Sequence, residues 1–126
     1  MKSFVVGCEN RPGEIAKVVE AVAAKGINIT TASSVCHGQW GAVGILTRDD
    51  DATRDALREA GLEFRECETV DVPLEDKPGT LGHACRRLAN AGINVEFLAP
   101  TAVGGEKTAI AFGVEDAEAA HKALGA

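Results

Sequence analysis

Aromatic residues are scarce in this chain. They make up 4% of it, with four Phe, one Trp and no Tyr. Sheets that bind RNA stack bases on aromatic rings, so this composition argues against that role. Positive charge is also in deficit. Thirteen Lys and Arg face nineteen Asp and Glu, a net charge of −6. Binding to nucleic acid or to an anionic membrane begins with Lys and Arg attracted to phosphate, and neither partner is expected. No run of 18 apolar residues is present, so no transmembrane helix is expected. The first residues, Met1 to Cys8, lack the long apolar core of a signal peptide, and a cytoplasmic location is expected. There is no Walker loop, no G-x-G-x-x-G and no C-x-x-C, and no cofactor is expected.

The cysteines are Cys8, Cys36, Cys67 and Cys85. In a reducing compartment they read as free, mostly buried thiols, with Cys85 on the core face of a helix. Cys8 beside Cys36-His37 suggests a metal or redox site, but the spacing is not that of structural zinc, and no metal ligand is assigned. Catalytic patterns are equally thin. His37, His83 and His121 have no recognisably spaced Ser and Asp partners. No catalytic residue is assigned, and an enzyme is not expected.

What is present is a repeat. Asn10-Arg11-Pro12-Gly13, a helical pattern and Gly26-Ile27-Asn28-Ile29 form the first copy. Asp76-Lys77-Pro78-Gly79, the same pattern and Gly92-Ile93-Asn94-Val95 form the second, 66 residues on (78 − 12 = 66). One small fold made twice is implied. The boundaries fall at 1–67 and 68–126, with no flexible linker.

Each copy reads strand, helix, strand, strand, helix. Phe4, Val6 and Cys8 alternate along a first strand, as do Val70, Val72 and Leu74. Ile15, Val18, Val19 and Val22 form one helical stripe, matched by Leu81, Ala84, Cys85 and Leu88. Pro12 and Pro78 suit the first helical turn, with Asn10 and Asp76 available as caps. Gly26 and Gly92 close the helices, and Ile27 and Ile93 fold back beneath them. Turns at His37-Gly38-Gln39 and Gly104-Gly105 join the second and third strands. Asp49-Asp50-Asp51 and Glu115-Asp116 start second helices rather than bind metal.

Only the first copy continues to a fourth strand, Leu62 to about Cys67. The order predicts an α+β protein: two tandem ferredoxin-like βαββαβ units, the second lacking its last strand, with antiparallel sheets and helices on one face. Val43 and Ile45, with Ala109 and Ala111, are read as an apolar sheet face turned away from the helices. That face and the open edge together suggest a homodimer.

The repeated turn also suits a ligand. A helix start offers N–H groups to a carboxylate, and the Gly lets it approach. Asn10, Asn28 and Asp76 supply acceptors for an ammonium group. Each residue also has a plain structural use, and it is the doubled combination that points to binding.

These residues resemble the ACT domain, a βαββαβ module that senses amino acids in metabolic enzymes and regulators. The resemblance covers nearly the whole chain as two copies. The first copy is similar to the serine-sensing ACT domains of phosphoglycerate dehydrogenases. In those, a His ending the first strand, an Asn before the turn and an Asn starting the second strand hold the ligand. The places fall here on Cys8, Asn10 and Asn28, and in the second copy on Leu74, Asp76 and Asn94. The resemblance implies units paired through their second strands. Ligands would sit between the turn of one unit and the second strand of the other, lined by Ala32, Ser33 and Ser34 or by Leu98 and Ala99. The ligand-binding set expected is Cys8, Asn10, Arg11, Pro12, Gly13, Asn28, Asp76, Lys77, Pro78, Gly79 and Asn94. The partners expected are a free amino acid, a second copy and, as an alternative emphasis, a metabolic enzyme regulated through protein contacts. Acylphosphatases share the topology, with an Arg in the same turn where Arg11 and Lys77 lie. Topology alone does not support that chemistry.

Overall fold

A computed structural model describes residues 1–125. The chain divides into two compact units, Met1–Glu66 and the residues from Cys67 onward. The first holds β1 (Lys2–Glu9), α1 (Glu14–Ala23), β2 (Ile29–His37), β3 (Trp40–Thr47) and α2 (Asp50–Glu59). It ends in the first residues of β4 (Phe64–Glu75), and the remainder of that uninterrupted strand opens the second unit. There α3 (Thr80–Asn90), β5 (Phe97–Ala102), β6 (Lys107–Val114) and α4 (Ala117–Leu124) follow. The orders are βαββαβ and βαββα, as the repeat requires.

In each unit the third strand of the repeat is the middle of an antiparallel group. β3 pairs with β1 and with β2, and β6 pairs with β4 and with β5. The first core gathers Phe4, Val6, Val43 and Ile45 from strands beneath Val18, Val22 and Leu57 from helices. Phe64 adds a ring 6.0 Å from that of Phe4. The second core gathers Val70, Val72, Ile110, Phe112 and Val114 beneath Ala84, Leu88 and Ala120. Ile27 and Ile93 pack on these cores, each following a Gly with positive φ. Asp49 and Asp116 cap α2 and α4, accepting from the N–H of Ala52 and Ala119.

Four expectations need correction. Val43 and Ile45 face the helices, whereas Ala109 and Ala111 lie opposite Pro73 and Asp71, on the other face from core residues Val72 and Ile110. The 66-residue offset becomes 67 after the second hairpin, because Val43 pairs with Val6 while Ile110 pairs with Val72. One extra residue reverses the face of every position that follows. Pro12 and Pro78 are not in the first helical turn. The N-caps are Gly13 and Gly79, neither helix carries a side-chain cap, and Asn10 and Asp76 therefore do not cap. Ile15 and Leu81 are exposed (38% and 40%) rather than part of the cores; each is the second residue of its helix, and the buried residues Val18, Val22, Ala84 and Leu88 begin one turn later. Cys36 is exposed, on an edge strand, while Cys67 is buried and Cys8 and Cys85 are half-buried.

Candidate functional site

The site begins with the turn between β1 and α1. Asn10 N–H donates to Gln39 O (2.8 Å) and Arg11 N–H to Glu9 O (3.0 Å). Gly13 then takes φ +90°, and its carbonyl accepts from Lys17 N–H (3.0 Å). A side chain is disfavoured in that left-handed region, which explains the glycine without a ligand. The Asn10 side-chain amide donates to Gly38 O (2.9 Å), tying the turn to the β2–β3 hairpin. Arg11 pairs with Glu9 (2.6 Å) and with Glu14 (3.1 Å).

A cleft of about 330 Å³ opens here, lined by Glu9, Asn10, Arg11, Gly38, Gln39 and Trp40. Trp40, the one Trp of the chain, is 64% exposed. In the sequence, residues 37–39 read only as a turn, and Trp40 carries no assignment. An aromatic next to a glycine turn, in a chain so poor in aromatics, was the available signal. Below the same turn Cys8, Glu14, Lys17 and Gly41 help to line a second recess of about 460 Å³. Burial, then Cys36, then Glu14 push the Cys8 thiol above its usual range. Glu14 is held below the usual carboxylate range, first by its hydrogen bond from Lys17.

Asn28 lies elsewhere. It directly precedes β2, in a recess of about 270 Å³ with Lys25, Thr30, Arg48 and Asp49. Glu9 pairs with Trp40 and Ile29 with Thr47, so the two Asn sit at opposite ends of β3, roughly 23 Å apart at about 3.3 Å per residue. One unit therefore brings together Cys8, Asn10, Arg11, Pro12 and Gly13 but not Asn28. Of the expected lining, Ala32, Ser33 and Ser34 are exposed on β2, Leu98 is exposed on β5, and Ala99 is buried.

The second unit repeats the turn. Asp76 N–H donates to Glu106 O (3.0 Å), Lys77 N–H to Glu75 O (3.0 Å), and Gly79 has φ +92°. Lys77 pairs with Glu75 at 2.8 Å. That bond lowers the Glu75 pKa and raises the Lys77 pKa. Pro78 links Lys77 to Gly79 at the surface, and Asn94 is exposed, three residues before β5. Thr80 replaces Glu14, and its hydroxyl donates to carbonyls of the turn itself, Glu75 O or Lys77 O. Among the described residues no group of three or more His, Cys, Asp or Glu is placed to hold a metal ion. Nor is any helix among them long and apolar enough to cross a membrane.

The fold is a doubled ferredoxin-like unit with a glycine-capped turn before the first helix of each copy. Residues 2–60 match the family model of the ACT domain. The match covers the first unit, and the second unit repeats that fold. No curated protein matches the chain. Among solved structures, a Bacteroides thetaiotaomicron protein superposes with TM-score 0.75 at 18% identity, over 98% of this chain and 85% of that one. The regulatory subunit of aspartate kinase from Thermus thermophilus gives 0.62 at 21%, over 98% and 89%. Clostridium acetobutylicum aspartate kinase gives 0.66 at 15%, over 98% of this chain and 32% of that enzyme. These are likenesses of fold.

Proposed function

We propose that this chain is a cytoplasmic regulatory protein that binds a small ligand and acts mainly by contact with a metabolic enzyme. The observation that carries the reading is β2. Its nine residues, Ile29–His37, pair on one side with β3, and none of them is fully buried. Val35 is 75% exposed at its outer half. A long edge strand with exposed apolar side chains is a surface that natural proteins cover. The exposed Ile15 and Leu81, equivalent positions of the two repeats, extend the same argument. The fold likeness to an aspartate kinase regulatory subunit, over nearly the whole of both chains, favours an enzyme as partner.

The ligand we infer is a free amino acid. Cys8, Asn10, Arg11, Pro12 and Gly13 would form one wall in the first unit, and Asp76, Lys77, Pro78 and Gly79 the equivalent wall in the second. The separation of Asn10 from Asn28 means that a ligand touching both needs the Asn28 of a second copy, which favours a homodimer paired along β2. Asn94 would serve the second wall in the same way. A self-contained sensor is the second reading. The starts of α1 and α3, which lack the side-chain caps of α2 and α4, favour it, because helix-start N–H groups suit a carboxylate.

The test has two parts. The twenty amino acids are titrated by calorimetry and by Trp40 fluorescence. Enzymes that co-purify at equal stoichiometry are then assayed with and without the chain and its ligand. A changed enzyme activity supports the first reading. Ligand binding without any stoichiometric enzyme supports the second, and neither binding nor partner would overturn both. In the ligand-binding arm, Asn10→Ala and Asn28→Ala are each expected to weaken affinity by about 1–3 kcal/mol.

A further inference from the structure

Cys8 on β1 and Cys36 on β2 both lie opposite Gly41 on β3. Directly paired residues share a face of the sheet, so the two thiols project from the same face with only a glycine between them. Cys8 packs against the first core, which identifies that face as the helix side. Gly41 carries no side chain between them. A Cβ at this position would lie 2.5 Å from Cys36 Sγ, so the Cys36 thiol leans across Gly41 into the gap. The influence of Cys36 on the Cys8 thiol shows the same proximity.

The two cannot simply oxidise to a disulfide. Their Cα atoms are separated by two strand spacings, roughly 9.5 Å, whereas a disulfide needs less than about 7 Å. We propose that Cys8 and Cys36, brought together over Gly41, form a two-thiolate site for a soft d10 cation such as Cu(I). The ion's identity follows from the donor set. Thiolates select soft ions, whereas zinc sites are completed by four ligands, and the described residues supply no cluster of three. Binding forms two metal–sulfur bonds, breaks two S–H bonds and releases both protons to solvent, with no change of oxidation state. Cys8 lines the recess that also holds Glu14 and Lys17, which gives the ion a route in.

The experiment is an anaerobic titration of the full chain with Cu(I) against a competing chelator, read by ultraviolet metal–thiolate absorption and by mass under native conditions. One ion per monomer is expected. Cys8→Ser and Cys36→Ser should each weaken binding by about a hundredfold, and Gly41→Ala, which keeps both thiols but whose Cβ would displace the Cys36 thiol and press on Val35 O (3.0 Å), by about tenfold. Cys36 is exposed, so its variant tests the site even if Cys8→Ser fails to fold. Absence of binding would overturn the proposal. So would full binding by the Cys36→Ser chain, which would place the ion on other cysteines. One ion per two chains, bridging exposed Cys36 residues, would overturn it as well.

Discussion

The two turns that open α1 and α3 have different side chains and the same backbone. Asn10-Arg11-Pro12-Gly13 and Asp76-Lys77-Pro78-Gly79 make equivalent hydrogen bonds to a hairpin and to the preceding strand, and their glycines differ by two degrees in φ (90° and 92°). Each keeps a basic residue against an acidic one two positions earlier. What differs is the clasp. Asn10 has an amide N–H to give to Gly38 O, whereas the Asp76 carboxylate can only accept. Much of the repeated motif is therefore explained by turn geometry. Chemistry that distinguishes the copies sits around the turn, in Trp40, Cys8, Cys36 and the Asn10 clasp, all in the first unit.

The comparison is broken most severely in the cores. Val22 and Leu88 are repeat equivalents, and both are fully buried. Leu88→Ala should cost about 2–5 kcal/mol, the usual range for a buried Leu. Val22→Ala removes one methylene fewer and should cost less by about 1 kcal/mol. Urea denaturation of both variants measures the difference. Equal losses would mean that the second core closes over its cavity.

A second pair of variants tests whether the glycines serve the turn or a ligand. A Cβ at Gly13 or Gly79 meets nothing within 4 Å, so the penalty for Ala arises from positive φ alone. Gly13→Ala and Gly79→Ala should each cost about 1–2 kcal/mol, by similar amounts in the two units. Thermal denaturation would show a common shift. A loss in one unit only would mean that the shared dihedral angle is not what holds both glycines.

Most of this fold was legible in the sequence because helix and strand periods leave different marks, and here each mark occurs twice. Phe4, Val6, Val18 and Val22 were readable as core, as were Val70, Val72, Ala84 and Leu88. The face of β3 was not. Its reading assumed a constant offset, and one extra residue in the hairpin of the second copy means that Ala109 and Ala111 are not the equivalents of Val43 and Ile45. The exposure of Ile15 and Leu81 was hidden for another reason. A helical stripe specifies direction around the axis but not how far along the axis burial extends, and here it starts one turn in. The turn residues of the candidate site were visible as a motif. Trp40 and the position of Cys36 over Gly41 were not, since both depend on register between β1, β2 and β3. The distance between Asn10 and Asn28 is likewise a property of the strand direction.

Converting one turn into the other sharpens the comparison further. Asn10→Asp removes the donor to Gly38 O and gives the first unit the side chain of the second. The bond is solvent-exposed, so a loss near the lower end of the usual range, about 0.5 kcal/mol, is expected in denaturant titrations. Faster amide exchange at the 37–40 hairpin should accompany it. Unchanged exchange there would show that the backbone bond from Asn10 to Gln39 O holds the hairpin by itself.

The smallest effect concerns the acidic residue before the second turn. Lys77 holds the Glu75 carboxyl below its ordinary pKa of 4.5, first through their hydrogen bond and then through charge. A carboxylate whose pKa is lower in the folded chain than in the unfolded one stabilises the fold above the unfolded pKa. That stabilisation disappears as pH falls through the folded value. Lys77→Met should therefore leave stability unchanged in strong acid and lower it slightly near neutrality. The gap between variant and wild type should open below about 4.5, as pH rises from the folded value toward the unfolded one, and stay constant above it; it should narrow in high salt because both groups are exposed. Carboxyl NMR titration gives the direct measurement: in the variant, the Glu75 pKa should return toward 4.5. An unmoved value would mean that Lys107, which also lowers it, is the cation that matters.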